Sequence, residues 1–116
     1  MTELPKPGPG IGRNKDIIAL ELTYELSAES SRVFSILGDD AQWPNELNPR
    51  ILKRQPHTKV IAALDDFSRP EFSIEVSKDG CEVKLLHDLI KSSDDRKEYR
   101  KIWNAWFKQI EKRVSL

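Results

Sequence analysis

The chemistry this sequence could carry rests on two histidines, one cysteine and a set of aromatic residues concentrated near its C-terminus. His87 and Asp88 are adjacent, and Ser92 and Ser93 follow closely. These are the residue types of a nucleophilic relay, in which a carboxylate orients an imidazole that deprotonates a hydroxyl. Their spacing argues against it. Neighbours on a strand point to opposite faces, so Asp88 is badly placed to orient the His87 ring. Ser92 and Ser93 precede a helical pattern, where a serine serves as a cap. We therefore expect no catalytic residue, with His87 as a satisfied inward-facing histidine and a polar handle if a pocket exists.

Metal chemistry is no better supported. Cys81 and His87 fall on one strand face, but six residues of strand separate them by roughly 20 Å, too far to share an ion. His57 lies beside Pro56 in a turn. No metal site and no cofactor is expected. Cys81, followed by Glu82, reads as a small buried hydrophobe and lacks the surroundings that activate a thiol. The aromatic residues hold more promise. Tyr99, Trp103, Trp106 and Phe107 recur at helical spacing. Such a stripe builds a core and can also form the apolar wall of a pocket. With Tyr24, Trp43, Phe72 and His87 it would line a site for a small apolar or aromatic ligand.

The elements that must hold these residues follow from periodicity. Ile18, Leu20, Leu22, Tyr24 and Leu26 alternate with polar neighbours, which predicts a half-buried strand. Ser27 stands where it could cap a short helix over about 28–38, with Val33, Ile36 and Leu37 on its apolar side and Gly38 closing it. One further turn is expected over Ala41–Leu47, anchored by Trp43. Pro49 and Pro56 limit Ile51–Gln55 to a short edge strand. Lys59–Leu64 reads as a strand and Asp65–Pro70 as a loop. Phe72, Ile74 and Val76, then Cys81, Val83, Leu85 and His87, form the arms of a hairpin about Lys78-Asp79-Gly80. A long helix follows. It is capped by Ser92 or Ser93, has Asp94 and Asp95 in its first turn, and carries Lys97, Lys101, Lys108 and Lys112 opposite the aromatic stripe.

Residues 1–15 read as a flexible leader, with proline at positions 5, 7 and 9. Its Gly8, Gly10 and Gly12 are not a phosphate loop, because no strand precedes them and Arg13 interrupts the pattern. Across all 116 residues, 19 basic side chains balance 19 acidic ones. The first 58 residues carry seven basic and eight acidic groups, the remainder twelve and eleven. That even distribution argues against affinity built on neutralising phosphates, so no nucleic-acid partner is expected. The longest apolar run, Val60–Leu64, is far short of a membrane span, and no apolar signal segment is visible. The lone cysteine suits a reducing compartment, so a cytoplasmic location is expected.

The order strand, short helices, antiparallel strands, long C-terminal helix predicts an α+β domain with a curved sheet of four to five strands packed on that helix. The stretch Ser27-Ala28-Glu29-Ser30-Ser31-Arg32-Val33-Phe34 followed by Trp43 is similar to the opening of the START-like (SRPBCC) helix-grip superfamily. Val83-Lys84-Leu85-Leu86-His87-Asp88 and Trp103-Asn104-Ala105-Trp106 resemble its last strand and helix. The branch most resembled is that of the activators of the heat-shock-protein-90 ATPase. The likeness covers about residues 16–114 and marks 16–116 as a START-like domain. Pro44–Thr58 leaves room for one hairpin fewer than usual. The resemblance implies a non-catalytic domain that binds a hydrophobic small molecule or a protein partner. It also carries two alternatives: a cyclase-like enzyme on an aromatic or polyketide-type substrate with His87 as acid and base, and a module that interacts through a sheet edge. The lost hairpin would leave an open edge near Ile51–Gln55 or Lys59–Leu64, through which a weak homodimer is expected.

Overall fold

The computed structural model describes residues 18–114, and the expected leader lies outside them. Five antiparallel strands form one sheet in the order β1-β5-β4-β3-β2. β1 (Ile18–Leu26) runs against β5 (Gly80–Ile90), with Leu22 opposite Leu85, the pairing that the helix-grip resemblance implies. β4 (Arg69–Ser77) joins β5 through the two-residue turn Lys78-Asp79. Gly80 is required there, because a Cβ at this position would lie 2.0 Å from the Leu26 carbonyl oxygen.

That close approach also explains the first helix. Ser27 and Ala28 are spent passing the hairpin turn, so α1 (Ser30–Leu37) begins later than expected and Ser27 does not cap it. Glu29 stands at the N-cap instead; its carbonyl receives the amides of Arg32 and Val33, and no side chain caps the helix. The single turn expected over Ala41–Leu47 is two 3-10 turns, Asp40–Gln42 and Asn45–Leu47. Pro44 is the reason. It offers no amide hydrogen and pushes the preceding Trp43 into an extended conformation (φ −75°, ψ 159°), which breaks the run. The Trp43 indole N–H then donates to the Leu37 carbonyl at 2.8 Å.

β2 (Arg50–Gln55) lies at one edge of the sheet and β1 at the other; β2 is mostly exposed and bulged between Ile51 and Lys53. β3 (Lys59–Ala63) is paired on both sides, to β2 and to β4, so the expected alternative of an open edge at Lys59–Leu64 is wrong. The expected loop Asp65–Pro70 is shorter than it reads, since β4 already starts at Arg69. Pro70 is tolerated because β3 pairs with β4 only as far as Glu71, so no ladder bond is missed.

α2 (Ser93–Val114) lies across the sheet. The Ser92 hydroxyl accepts the Asp95 amide at 3.0 Å, while Asp94 and Asp95 face the positive end of the helix and Lys112 and Arg113 the negative end. Trp103, Trp106, Phe107, Ile110 and Val114 are buried, and Lys97, Lys101 and Lys108 are exposed, as the periodicity predicts. Among the described residues no helix is long and apolar enough to cross a membrane.

Candidate functional site

Between sheet and helix the eight residues singled out from the sequence converge. Phe72 on β4 meets Trp103 on α2 edge to face at 5.4 Å between ring centroids. Trp43, delivered by the break between the 3-10 turns, contacts Phe72, Trp103 and Trp106 at 5.4–5.7 Å. Phe107 extends the cluster to Tyr24 on β1, stacked on it at 3.9 Å and 5°. The Tyr24 hydroxyl donates to Asn104 at 2.7 Å; burial raises its pKa to about 12, partly offset by Arg100. These edge-to-face and tilted arrangements are what ring quadrupoles favour. Phe72 and Trp103 are fully buried at the centre of the cluster.

The polar half of the site is a hydrogen-bonded chain. Trp103 Nε1–H donates to His87 Nδ1 at 3.1 Å. An indole only donates, so the imidazole proton sits on Nε2, which lies 2.8 Å from Ser68 Oγ and donates to it. The Ser68 hydroxyl donates to Asp66 Oδ1 at 2.6 Å, and the Ser68 amide donates to the same oxygen at 2.9 Å. The Tyr99 hydroxyl donates to Asp66 Oδ2 at 2.5 Å, and the Tyr99 ring packs 4.3 Å from that of His87. Burial drives the His87 pKa down to about 4 against the pull of Asp66 and Asp88. Burial pushes the Asp66 carboxyl up, but the Ser68 and Tyr99 hydroxyls and the Ser68 amide outweigh it and leave the pKa below the usual value. Tyr99 is raised to about 12 by burial and by its bond to Asp66.

Histidine, serine and aspartate thus meet, but in the wrong order for nucleophilic catalysis. The serine is central, fully buried, and gives its proton to the carboxylate. Both ring nitrogens of His87 are engaged and the residue is fully buried. Asp88 accepts the Leu89 amide and pulls on His87 through its charge, while Ser92 caps α2. Cys81 is buried, and burial raises its thiol pKa. His57 sits in the β2–β3 turn with φ 64°, edge-on to Phe34. Among the described residues no three carboxylate, histidine or cysteine side chains are grouped to hold a metal.

Sequence reading missed Ser68 and Asp66. Their local signal is the Asp-x-Ser spacing, in which the carboxylate accepts the amide two residues on and fixes the loop. What that spacing could not reveal is that the loop meets His87, nineteen positions away.

The loop and Tyr99 also form one wall of an open groove of about 440 Å³. Leu47, Leu64 and Ile102 make its apolar floor, and its rim carries the carboxylates of Glu46, Asp65, Asp66, Asp95 and Glu98. Asp65 accepts a bond from Asn48 at 2.9 Å and Asp66 is held as above.

Among the solved structures that this chain resembles, two are matched across nearly their whole length. An Aha1 dimer from Colwellia psychrerythraea, solved in solution, superposes with a TM-score of 0.73 at 11% identity, over 85% of this chain and 97% of that one. Protein CV1439 from Chromobacterium violaceum superposes with a TM-score of 0.65 at 13% identity, over 84% and 98%. The fold is the one seen in that Aha1 structure, a curved antiparallel sheet gripping a long C-terminal helix. At such identities the match establishes the fold and leaves the activity to the residues. No protein-family model and no curated protein matches the sequence.

Proposed function

We propose that the chain is a non-catalytic START-like binding module that engages its partners on its outer surfaces. One observation carries this: the interior of the grip, where a START-like carrier would hold an apolar ligand, is occupied by Trp43, Phe72, Trp103, Trp106 and Phe107 in mutual contact. A ligand there would have to separate rings that gain about 0.5–1.5 kcal/mol per pair beyond simple burial. The cyclase-like alternative loses its acid and base, because His87 is sealed on both nitrogens.

Titration with a long-chain fatty acid and with a fused-ring aromatic, followed by tryptophan fluorescence, tests the proposal. We expect no saturable change. A saturable change abolished by Trp103→Phe would restore the interior-ligand reading.

Self-association through β2 is a second reading, favoured by the open edge and by Leu52 at its bulge, 47% exposed. The fold's solved relative from Colwellia is described as a dimer.

A further inference from the structure

The groove beside Tyr99 combines two features that a stable fold does not need together. Its floor is apolar, and among the described residues its rim holds five carboxylates and no lysine or arginine. The fold accounts for part of this charge. Asp95 complements the dipole of α2 and Asp66 anchors the loop to Tyr99. Glu46 stands in the first turn of the 3-10 turn Asn45–Leu47, too short to carry much of a dipole, and Glu98 lies beyond the first turn of α2; both are exposed, and each adds like charge to the groove. Next to the groove, Phe67 of the same loop is exposed at φ 69°, with the Lys91 ammonium 5.6 Å from its ring centroid and outside the groove lining. Like-charge crowding lowers stability, and a partner of opposite charge would relieve it.

Resting on the reading that partners are bound on the outside, we propose that this groove docks a basic, amphipathic segment of a partner protein. Its lysine or arginine side chains would pair with Glu46, Asp65 and Glu98, while an apolar residue between them would sit on Leu47, Leu64 and Ile102. Charge complementarity selects that occupant: an acidic or neutral apolar segment would leave the rim carboxylates desolvated without partners.

The test uses a fluorescent twelve-residue peptide of lysine and leucine, with a glutamate-and-leucine peptide as control, against the full chain. Anisotropy should show binding of the lysine peptide only, weakened at least several-fold between 50 and 300 mM salt, as screening demands. Amide shifts in an NMR titration should cluster at residues 46–47, 64–67 and 95–102. Glu46→Lys combined with Glu98→Lys should reduce affinity tenfold or more with the melting temperature unchanged or raised. Glu46→Gln with Glu98→Gln should give a smaller loss in the same direction. Glu75→Lys, on the outer face of the sheet, should leave binding intact. Equal binding of both peptides, shifts clustered elsewhere, or unchanged affinity in the Lys double variant would overturn the proposal. So would competition by spermidine at the same concentration as the peptide, which would assign the groove to small polyamines. An interior ligand found by tryptophan fluorescence would instead defeat the functional reading itself, whatever the peptide does.

Discussion

His87 is the residue on which the interior's polar chemistry turns. Its neutral ring accepts from Trp103 and donates to Ser68, so protonation would put a second N–H against the indole N–H. In the unfolded chain the ring titrates near its ordinary pKa of 6.5; in the fold burial holds it near 4. Between those values the unfolded state binds more protons than the folded one, so stability rises with pH across that window. The contribution is complete above about pH 6.5 and is lost as pH falls towards 4, to the extent of about 3 kcal/mol. Urea unfolding at half-unit steps from pH 4 to 7 should show this slope, and His87→Gln should flatten it. An unchanged slope in the variant would assign it to other groups. The inward placement of His87 was legible from the alternation of Cys81, Val83, Leu85 and His87. Its partners were not, because Ser68 and Asp66 reach it only through the pairing of β4 with β5, a non-local register no short window contains.

At the scale of elements, α2 and the β4–β5 hairpin fix the architecture. Trp106→Ala should cost about 3–5 kcal/mol in a denaturant titration as a large-to-small core change, while Lys101→Ala on the opposite face should stay within about 0.5 kcal/mol. A loss below about 1 kcal/mol for Trp106 would mean the stripe is not core. Gly80→Ala tests the hairpin. Its Cβ would meet the Leu26 carbonyl, backbone that cannot rotate away, and the strand junction must shift. We expect a loss of about 1–3 kcal/mol, the range of overpacking; a neutral variant would contradict the close approach. Most of these elements were readable because each carries its own period: two for β1, β4 and β5, near 3.6 for α2. The readings failed where a contact outweighed local preference. Ser27 is a good cap by type, but the passage of β1 over Gly80 uses the residues that capping needed. Pro44 does stand at the start of a turn, but it also holds Trp43 extended, and so the stretch after α1 splits in two.

For the whole molecule, the edges decide association and the interior decides function. β2 presents Arg50, Lys53 and Arg54, although the Arg54 guanidinium also donates to the Gly38 carbonyl at 2.6 Å. A two-fold pairing of β2 edges would set these cations against their own copies, which destabilises a cross-strand pair. Any such dimer should therefore be weak and should tighten with salt. Light scattering over a concentration series should show a higher apparent mass at 0.5 M than at 0.05 M salt, and Leu52→Lys should abolish the rise. A mass that falls with salt, or never exceeds the monomer, would rule out the β2 dimer. The central claim, that the grip holds its own aromatic residues in place of a ligand, is tested most directly by NMR in the presence of benzene. Apolar cavities of sufficient size bind benzene, whereas close-packed interiors do not. With the rings close-packed, the Trp103 indole N–H resonance and the ring contacts among Trp43, Phe72 and Trp103 should stay unchanged up to saturating benzene. A saturable shift of the Trp103 indole signal, with loss of those ring contacts, would contradict it.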